Sequence, residues 1–195
     1  MKQDEGYIKY GSHWMYGEPV PQAVVQELQV WRDKLFAHGL IGSDADGVGY
    51  GNISIRDKQG FIITGTQTGG LQTLGTMHFT TVTHVDVAAN FLECKGPIQA
   101  SSEAMTHGAI YRCNAAVQAV IHVHDNRRWE QLLNVAPTTD PAVPYGTSEM
   151  AWEIQRLFRD QSLGASGLLV MAGHTDGIIT FGESLQEAGE LLLKE

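Results

Sequence analysis

The sequence predicts an α/β domain in which helices pack on a mixed sheet. Three observations predict it. Short alternating or continuous apolar runs, read as strands, are interleaved with runs of helical period. No linker and no repeat divides the 195 residues, a length that suits one domain. A hydrophobic share of 43% against 18% charged residues supplies material for a sizeable core.

Residues 1–20 show no period. They read as an irregular N-terminal arm with three tyrosines and a tryptophan, suited to packing on a partner. The domain proper is read over 21–195. Pro21 opens a helix in which Val24, Val25, Leu28, Trp31, Leu35 and Phe36 recur at helical spacing, and Gly39 ends it. Gly47 to Asn52 is glycine-rich backbone. Ile53–Arg56 alternates as a half-buried strand, Asp57–Gly60 turns, and Phe61–Thr64 returns, which makes a hairpin. Gly65–Gly70 is a second glycine- and threonine-rich loop. Thr81–Leu92 reads as strand with a turn near Ala88–Asn90.

Ser101-Ser102-Glu103 leads a helix to about Cys113, with Met105, Ile110 and Tyr111 facing the core. Val117–Ile121 is a buried strand running into His122-Val123-His124. A short helix is expected at Trp129–Leu133, and Thr147-Ser148 caps another through Phe158. Leu168–Met171 and Ile178–Phe181 are strands, and Ser184 with Glu187 forms the capping box of a last helix.

Thirteen Lys+Arg against 22 Asp+Glu give a formal net charge of −9. So acidic a chain is expected to bind neither nucleic acid nor an anionic membrane with its whole surface. Cys94 and Cys113 are too few for a disulfide framework or a cysteine-based zinc site, and read as thiols in a reducing compartment. There is no signal-peptide pattern and no apolar run of about 18 residues. A cytoplasmic location is the expectation.

The chemistry concentrates on histidine. His122 and His124 are two apart on a strand, so both imidazoles face one side. Such a pair is either two satisfied surface histidines or the grip for a metal at about 2.0–2.1 Å. The buried run before them favours the second. His174, beyond another buried strand, reads alone as a turn histidine. With the pair it makes a three-nitrogen site with an open position, the pattern of a catalytic metal. Glu103 at a helix start is explained by the helix dipole, but the two serines before it add hydroxyls to free N–H groups and suggest an anion site. His107, four residues on, is either a partner of Glu103 or a packed side chain.

These segments together resemble the class II aldolase/adducin family, which includes fuculose-phosphate aldolase and ribulose-phosphate 4-epimerase. The carriers are Gly51-Asn52-Ile53-Ser54-Ile55-Arg56, Ile63-Thr64-Gly65, Ser101-Ser102-Glu103 with His107, Ile121-His122-Val123-His124, and Gly173-His174 with Gly177. The resemblance implies a three-layer α/β/α fold around a mostly antiparallel sheet. It implies a homotetramer with active sites at subunit interfaces, and a sugar-phosphate substrate. It assigns His122, His124 and His174 to a divalent metal, typically zinc, with manganese or cobalt as alternatives. Glu103 matches the catalytic carboxylate, which also touches the metal. Asn52, Ser101 and Ser102 match phosphate-holding positions. A Thr-Gly pair joins them; Thr64-Gly65 and Thr68-Gly69 both fit, and Thr68-Gly69 is preferred as the pair free of the strand.

The implied activity is aldehyde-lyase cleavage of a small sugar phosphate through a metal-stabilised enediolate. Two features depart from the family. Asp125 follows His124, where many members carry a small residue, Pro or Asn. No tyrosine follows Tyr145, whereas fuculose-phosphate aldolase draws one from its tail, so Tyr145 becomes the candidate proton donor. Epimerase, dehydratase and non-catalytic adducin-like scaffold are the alternatives. The first is disfavoured because epimerases tend to carry Asp where Glu103 stands, the last because the ligands are retained. An all-β cupin barrel, with Glu130 as its acid, conflicts with the helical patterns.

Overall fold

In a computed structural model, which describes residues 6–194, eight strands form one open sheet. The strands are β1 (Gly11–Tyr16), β4 (Asn52–Asp57), β5 (Gly60–Thr64), β6 (Phe79–Asp86), β7 (Phe91–Gly96), β8 (Ala119–His124), β9 (Gly167–Val170) and β10 (Gly177–Gly182). Their order across the sheet is β1-β7-β6-β5-β4-β8-β10-β9. Only β1 and β7 run parallel; every other neighbouring pair is antiparallel. The short strands β2 (Gly42–Ser43) and β3 (Gly49–Tyr50) form a separate ribbon. The helices are α1 (Gln22–Ala37), α2 (Ala104–Cys113), α3 (Asn126–Leu132), α4 (Ser148–Asp160) and α5 (Leu185–Leu193).

Strand alternation divides the core in two. Ile53, Ile62, Ile121, Val123 and Ile178 meet Val25, Leu28, Leu35, Ala188 and Leu192 of α1 and α5 on one face. Phe61, Ile63, Val120, Ile179 and Phe181 meet Met105, Ile110, Ile154 and Phe158 of α2 and α4 on the other. This is the expected three-layer α/β/α arrangement around a mixed, mostly antiparallel sheet. The sheet keeps two edges and does not close, which removes the cupin alternative. Among the described residues no helix is long and apolar enough to cross a membrane. Both cysteines are free thiols, Cys94 buried and Cys113 half-buried.

The local signals mostly have the consequences their chemistry requires. Gly39 sits at φ +71° after α1. Gly39 N donates to Phe36 O (2.9 Å) and Leu40 N to Leu35 O (3.0 Å), the paired bonds that end a helix on a left-handed glycine. Ser184 Oγ accepts from Glu187 N (3.1 Å), but the Glu187 carboxylate accepts from Glu183 N (2.7 Å), one residue earlier than in the capping box. Asp125 caps α3 by accepting from Arg128 N (3.0 Å), so the helix begins three residues before Trp129.

Two expectations are corrected. The stretch expected to be irregular over 1–20 contains β1, which pairs with β7; residues 1–5 of that stretch lie outside the described part. Tyr10, just before β1, is buried in the core. Val24 stays 39% exposed, off the buried stripe of α1, while Arg32 of the same helix is buried. As expected, Ser101 and Ser102 precede α2, which starts at Ala104 with Glu103 at its N-cap and ends at Cys113.

Phe79 opens β6 fully buried in the α1/α5 core, whereas Trp152 of α4 is half exposed. Phe79→Ala should cost about 3–5 kcal/mol of unfolding free energy. Trp152→Ala should stay within about 0.5 kcal/mol of the parent. Urea unfolding of both variants checks the assignment of core and surface.

Candidate functional site

The site is built where β8 ends. Val120, His122 and His124 share the face of β8 that looks toward α2 and α4, because side chains alternate along a strand. The β4–β8 register sets Asn52 opposite His122, and the Asn52 side-chain amide lies 3.4 Å from His122 Nδ1. His174 comes from the turn between β9 and β10, held by bonds from His174 N to Met171 O (3.2 Å) and from Gly177 N to His174 O (2.9 Å). Ring centroids of the three histidines are 5.1, 5.0 and 4.8 Å apart.

One ligand nitrogen from each histidine lies within 4.8 Å of the others. His122 is fully buried, and among the described residues its Nε2 has no hydrogen-bond partner. Burial drives the His122 pKa well below its ordinary value, against the pull of Glu103. The ring is therefore neutral and keeps a lone pair at a nitrogen. The Asn52 atom facing Nδ1 is Nδ2, and Asn52 Oδ1 has no hydrogen-bond partner among the described residues; turning the amide over sets that oxygen on Nδ1–H and leaves the lone pair on Nε2. Three convergent nitrogens, one of them a buried atom without a protein partner, fit a divalent cation.

Glu103 is 1% exposed, and its Oε1 lies 3.2 Å from His174 Nδ1. The turn before it is tied down from several sides. Ser101 Oγ accepts from Glu103 N (3.4 Å), and Ser101 N donates to Thr64 O (3.3 Å). The Tyr10 hydroxyl donates to Ser101 O (2.7 Å). Burial, and after it Cys94 and Glu103, raise the Tyr10 phenol above its usual value.

Ser101, Ser102, Asn52 and Thr68 are all buried. A bridge between Gly65 and Ala100 brings the second glycine loop beside the serine turn. Thr64 is the last residue of β5, and its hydroxyl accepts from Ile53 N (3.2 Å). Thr68 and Gly69 lie in the loop, with the Thr68 hydroxyl donating to Gly65 O (2.8 Å).

Tyr145 is buried, with its ring stacked on His174 at 4.2 Å and 21°. The structure therefore brings the three histidines, Glu103, Tyr145 and Asn52 together, and sets Gly65, where the second glycine loop begins, beside Ala100 ahead of the serine turn, while Gly69 further along the loop packs against Gly42 and Tyr50. His107 is a packed residue. It is fully buried, its Nδ1 lies 2.7 Å from Ser54 Oγ, and that oxygen lies 2.8 Å from the Tyr111 hydroxyl.

Three neighbours escaped the sequence reading. Tyr10 pins the serine turn. Lys9 places its ammonium 3.5 Å from the Tyr145 ring centroid. Tyr50 packs its ring 5.0 Å from that of His124. None belongs to a periodic pattern, and only the aromatic content of the arm hinted at the first.

Residues 36–127 match the family model of the Class II Aldolase and Adducin N-terminal domain, which bears out the resemblance stated from the sequence. No curated protein matches the chain. Among solved structures, L-fuculose-1-phosphate aldolase from Thermus thermophilus is similar at a TM-score of 0.63 and 24% identity, over 89% of this chain and 89% of that one. A further L-fuculose 1-phosphate aldolase gives a TM-score of 0.66 and 22% identity, over 90% and 82% of the two chains. YgbL from Escherichia coli, for which aldolase, epimerase and decarboxylase activities are named as candidates, gives 0.64 and 23% over 87% and 83%. At these identities the likeness is one of fold.

Burial pushes the His107 pKa down from 6.5 to about 4, with Glu103 opposing. The unfolded chain therefore takes up this proton near 6.5, and the folded chain only near 4. Stability is lost as pH falls across that window and levels off below it. The loss attributable to His107 is about 3 kcal/mol. Urea unfolding between pH 7.5 and 4 should show a smaller decline for His107→Gln than for the parent; equal declines would refute the assignment.

Proposed function

We propose that this chain, which has the class II aldolase fold and matches that family's domain over residues 36–127, is a divalent-metal-dependent aldehyde-lyase. Its substrate is a small sugar phosphate, cleaved by retro-aldol chemistry. One observation carries the reading: a buried carboxylate, Glu103, set against His174 of a three-histidine cluster. A structural metal site has no use for a carboxylate at an open position. A catalyst that moves protons beside a polarised carbonyl needs one.

His122, His124 and His174 would hold the cation, with Glu103 reaching it in the resting state. Zinc suits three imidazoles, and manganese or cobalt are accepted by the same donors. When bound, the cation would polarise the substrate carbonyl and offset the charge that develops on its oxygen as the carbon–carbon bond breaks. Glu103 then delivers a proton to the carbon left electron-rich. In the synthetic direction it removes a proton from the carbon beside the carbonyl. Burial among histidines keeps water from competing for that proton. In cleavage Tyr145, held flat on His174, takes up the proton that the substrate hydroxyl loses on becoming the aldehyde, while Glu103 enters the step protonated and gives its proton to carbon; in synthesis both transfers reverse.

Asn52, Thr68, Gly69, Ser101 and Ser102 hold the phosphate, and so fix the sugar relative to Glu103. The exposed apolar side chains Trp14, Met15 and Tyr16 of β1 support assembly of several copies. A homotetramer with its sites at subunit interfaces, in the cytoplasm, is the form proposed.

The fold likeness to YgbL keeps a second reading, in which the same site epimerises, dehydrates or decarboxylates its substrate. Retention of Glu103 and all three histidines argues against a purely structural, adducin-like role.

Elemental analysis should find about one zinc or similar ion per chain in the purified protein, and none in His124→Ala, whose circular dichroism should match the parent. Glu103→Gln should keep the metal and lose turnover by about 100-fold or more. A coupled assay for dihydroxyacetone phosphate release, run beside assays for epimerised and dehydrated products, separates the readings. Full activity in Glu103→Gln would remove the carboxylate from the mechanism. A parent protein that takes up no metal even after reconstitution would remove the lyase.

A further inference from the structure

Arg32 is 1% exposed, and arginine is almost never buried so fully without dedicated partners. Its partners lie in the second glycine loop. Nη2 donates to Gly69 O (2.8 Å) and Thr68 O (3.2 Å), and Nη1 to Gln72 O (3.1 Å). The guanidinium also stacks 4.6 Å from the Phe36 ring centroid. Its acidic neighbour is Asp33 at 3.4 Å, which is 44% exposed. Water screens that pair, so it does little to cancel the charge on the loop side.

We propose that Arg32 is a positioning residue for substrate phosphate: its buried guanidinium draws the carbonyls of Thr68 and Gly69 inward and turns the following N–H groups outward as an anion cradle. The inference rests on the reading of Thr68-Gly69 as part of the phosphate site.

Covalent geometry makes the connection. In a trans peptide, the carbonyl of one residue and the N–H of the next point in opposite directions, and the chain has no cis peptide among the described residues. Fixing Thr68 O and Gly69 O on the guanidinium therefore aims the N–H groups of Gly69 and Gly70 away from it. Each peptide dipole then lies along the field of the charge behind it, with its positive end away from Arg32 and beside Gly49 of β3, where an added Cβ would stand 3.0 Å from Gly69 N and 3.5 Å from Gly70 N. Inside a protein that alignment acts through a lower dielectric than water. The acidic surface of the chain, net −9, gives a phosphate dianion little other encouragement.

The loop has no freedom to turn over. A Cβ on Gly69 would lie 2.5 Å from Gly42 O and 2.6 Å from Tyr50 O, so the β2/β3 ribbon presses it from the side. Gln67 enters the loop at φ +58°, a conformation a non-glycine residue keeps only where its surroundings impose it. A neutral side chain would suffice merely to fasten the loop. The same helix does that one turn earlier, where Gln29 Nε2 donates to Leu74 O (2.8 Å). At the glycines it uses a charge.

The test titrates inorganic phosphate into the metal-loaded, full-length protein by calorimetry at low salt. Arg32→Met should weaken phosphate binding at least 10-fold while metal content stays at the parent level. Arg32→Lys retains the charge but cannot span three carbonyls, and should weaken binding about 3-fold. In turnover, Arg32→Met should raise KM for the phosphorylated sugar by more than it lowers kcat, a split that general loosening of the fold does not produce. Parent-like phosphate affinity in Arg32→Met overturns the positioning role and leaves the phosphate reading intact. If Arg32→Met does not fold, parent-like affinity in Arg32→Lys overturns it in the same way. A parent protein that binds no phosphate overturns the phosphate reading, and the role of Arg32 falls with it.

Discussion

The site depends on the pairing register of β8. That strand is covered on both faces, so each residue is committed to one core or the other. Ile121 and Val123 belong to the α1/α5 side, Val120 and the two histidines to the α2/α4 side. A slip of one residue would send the imidazoles into an apolar layer and Val123 into the histidine cluster. Two neighbours forbid the slip: β4 sets Asn52, and β10 sets Ile179, opposite His122. Hydrophobic burial thus fixes which face of the sheet carries the polar atoms and which residues they meet, although it contributes no direction of its own.

Upon that frame the protein accumulates polar groups where they are costly to hold. Glu103, His122 and His174 are all nearly inaccessible. A buried carboxylate beside imidazoles is expensive unless a cation or a proton arrives. The cost is borne by a rigid surround: the Tyr10 hydroxyl on the serine turn, the Tyr145 ring on His174, and the Ser54–Tyr111 pair on His107. A centre held in this way needs little rearrangement when charge develops, which is the condition for electrostatic stabilisation to be effective.

Part of this was legible in the sequence and part could not be. The His-x-His pair declares its geometry, because a strand period of two needs no tertiary information. The hairpin at 57–60 and the glycine that ends α1 are equally local. Arg32 is the opposite case. On α1 it looks like an ordinary solvated cation, and only the return of the Thr68–Gln72 loop, some forty residues later, makes it interior. Val24 errs in the other sense, apolar and in phase, yet off the buried stripe. Tyr10 and β1 were unreadable because nothing in an aperiodic arm specifies a partner strand beyond residue 90. For Tyr145, the sequence offered only its place as the last tyrosine; its stacking on His174 is a product of packing.

The parallel pairing of β1 with β7 bears on the order in which the molecule assembles. Gly11 pairs with Phe91, and the Tyr10 hydroxyl reaches an oxygen 91 residues away. On a ribosome the arm emerges first, yet it has nothing to dock on until the β6–β7 meander and the serine turn exist. Closing so long a loop is entropically dear and comes late. The arm is therefore among the last segments of this fold to find its place, and its arrival locks the turn that carries Glu103. The seating of Glu103 is thereby coupled to a contact that spans 91 residues of chain.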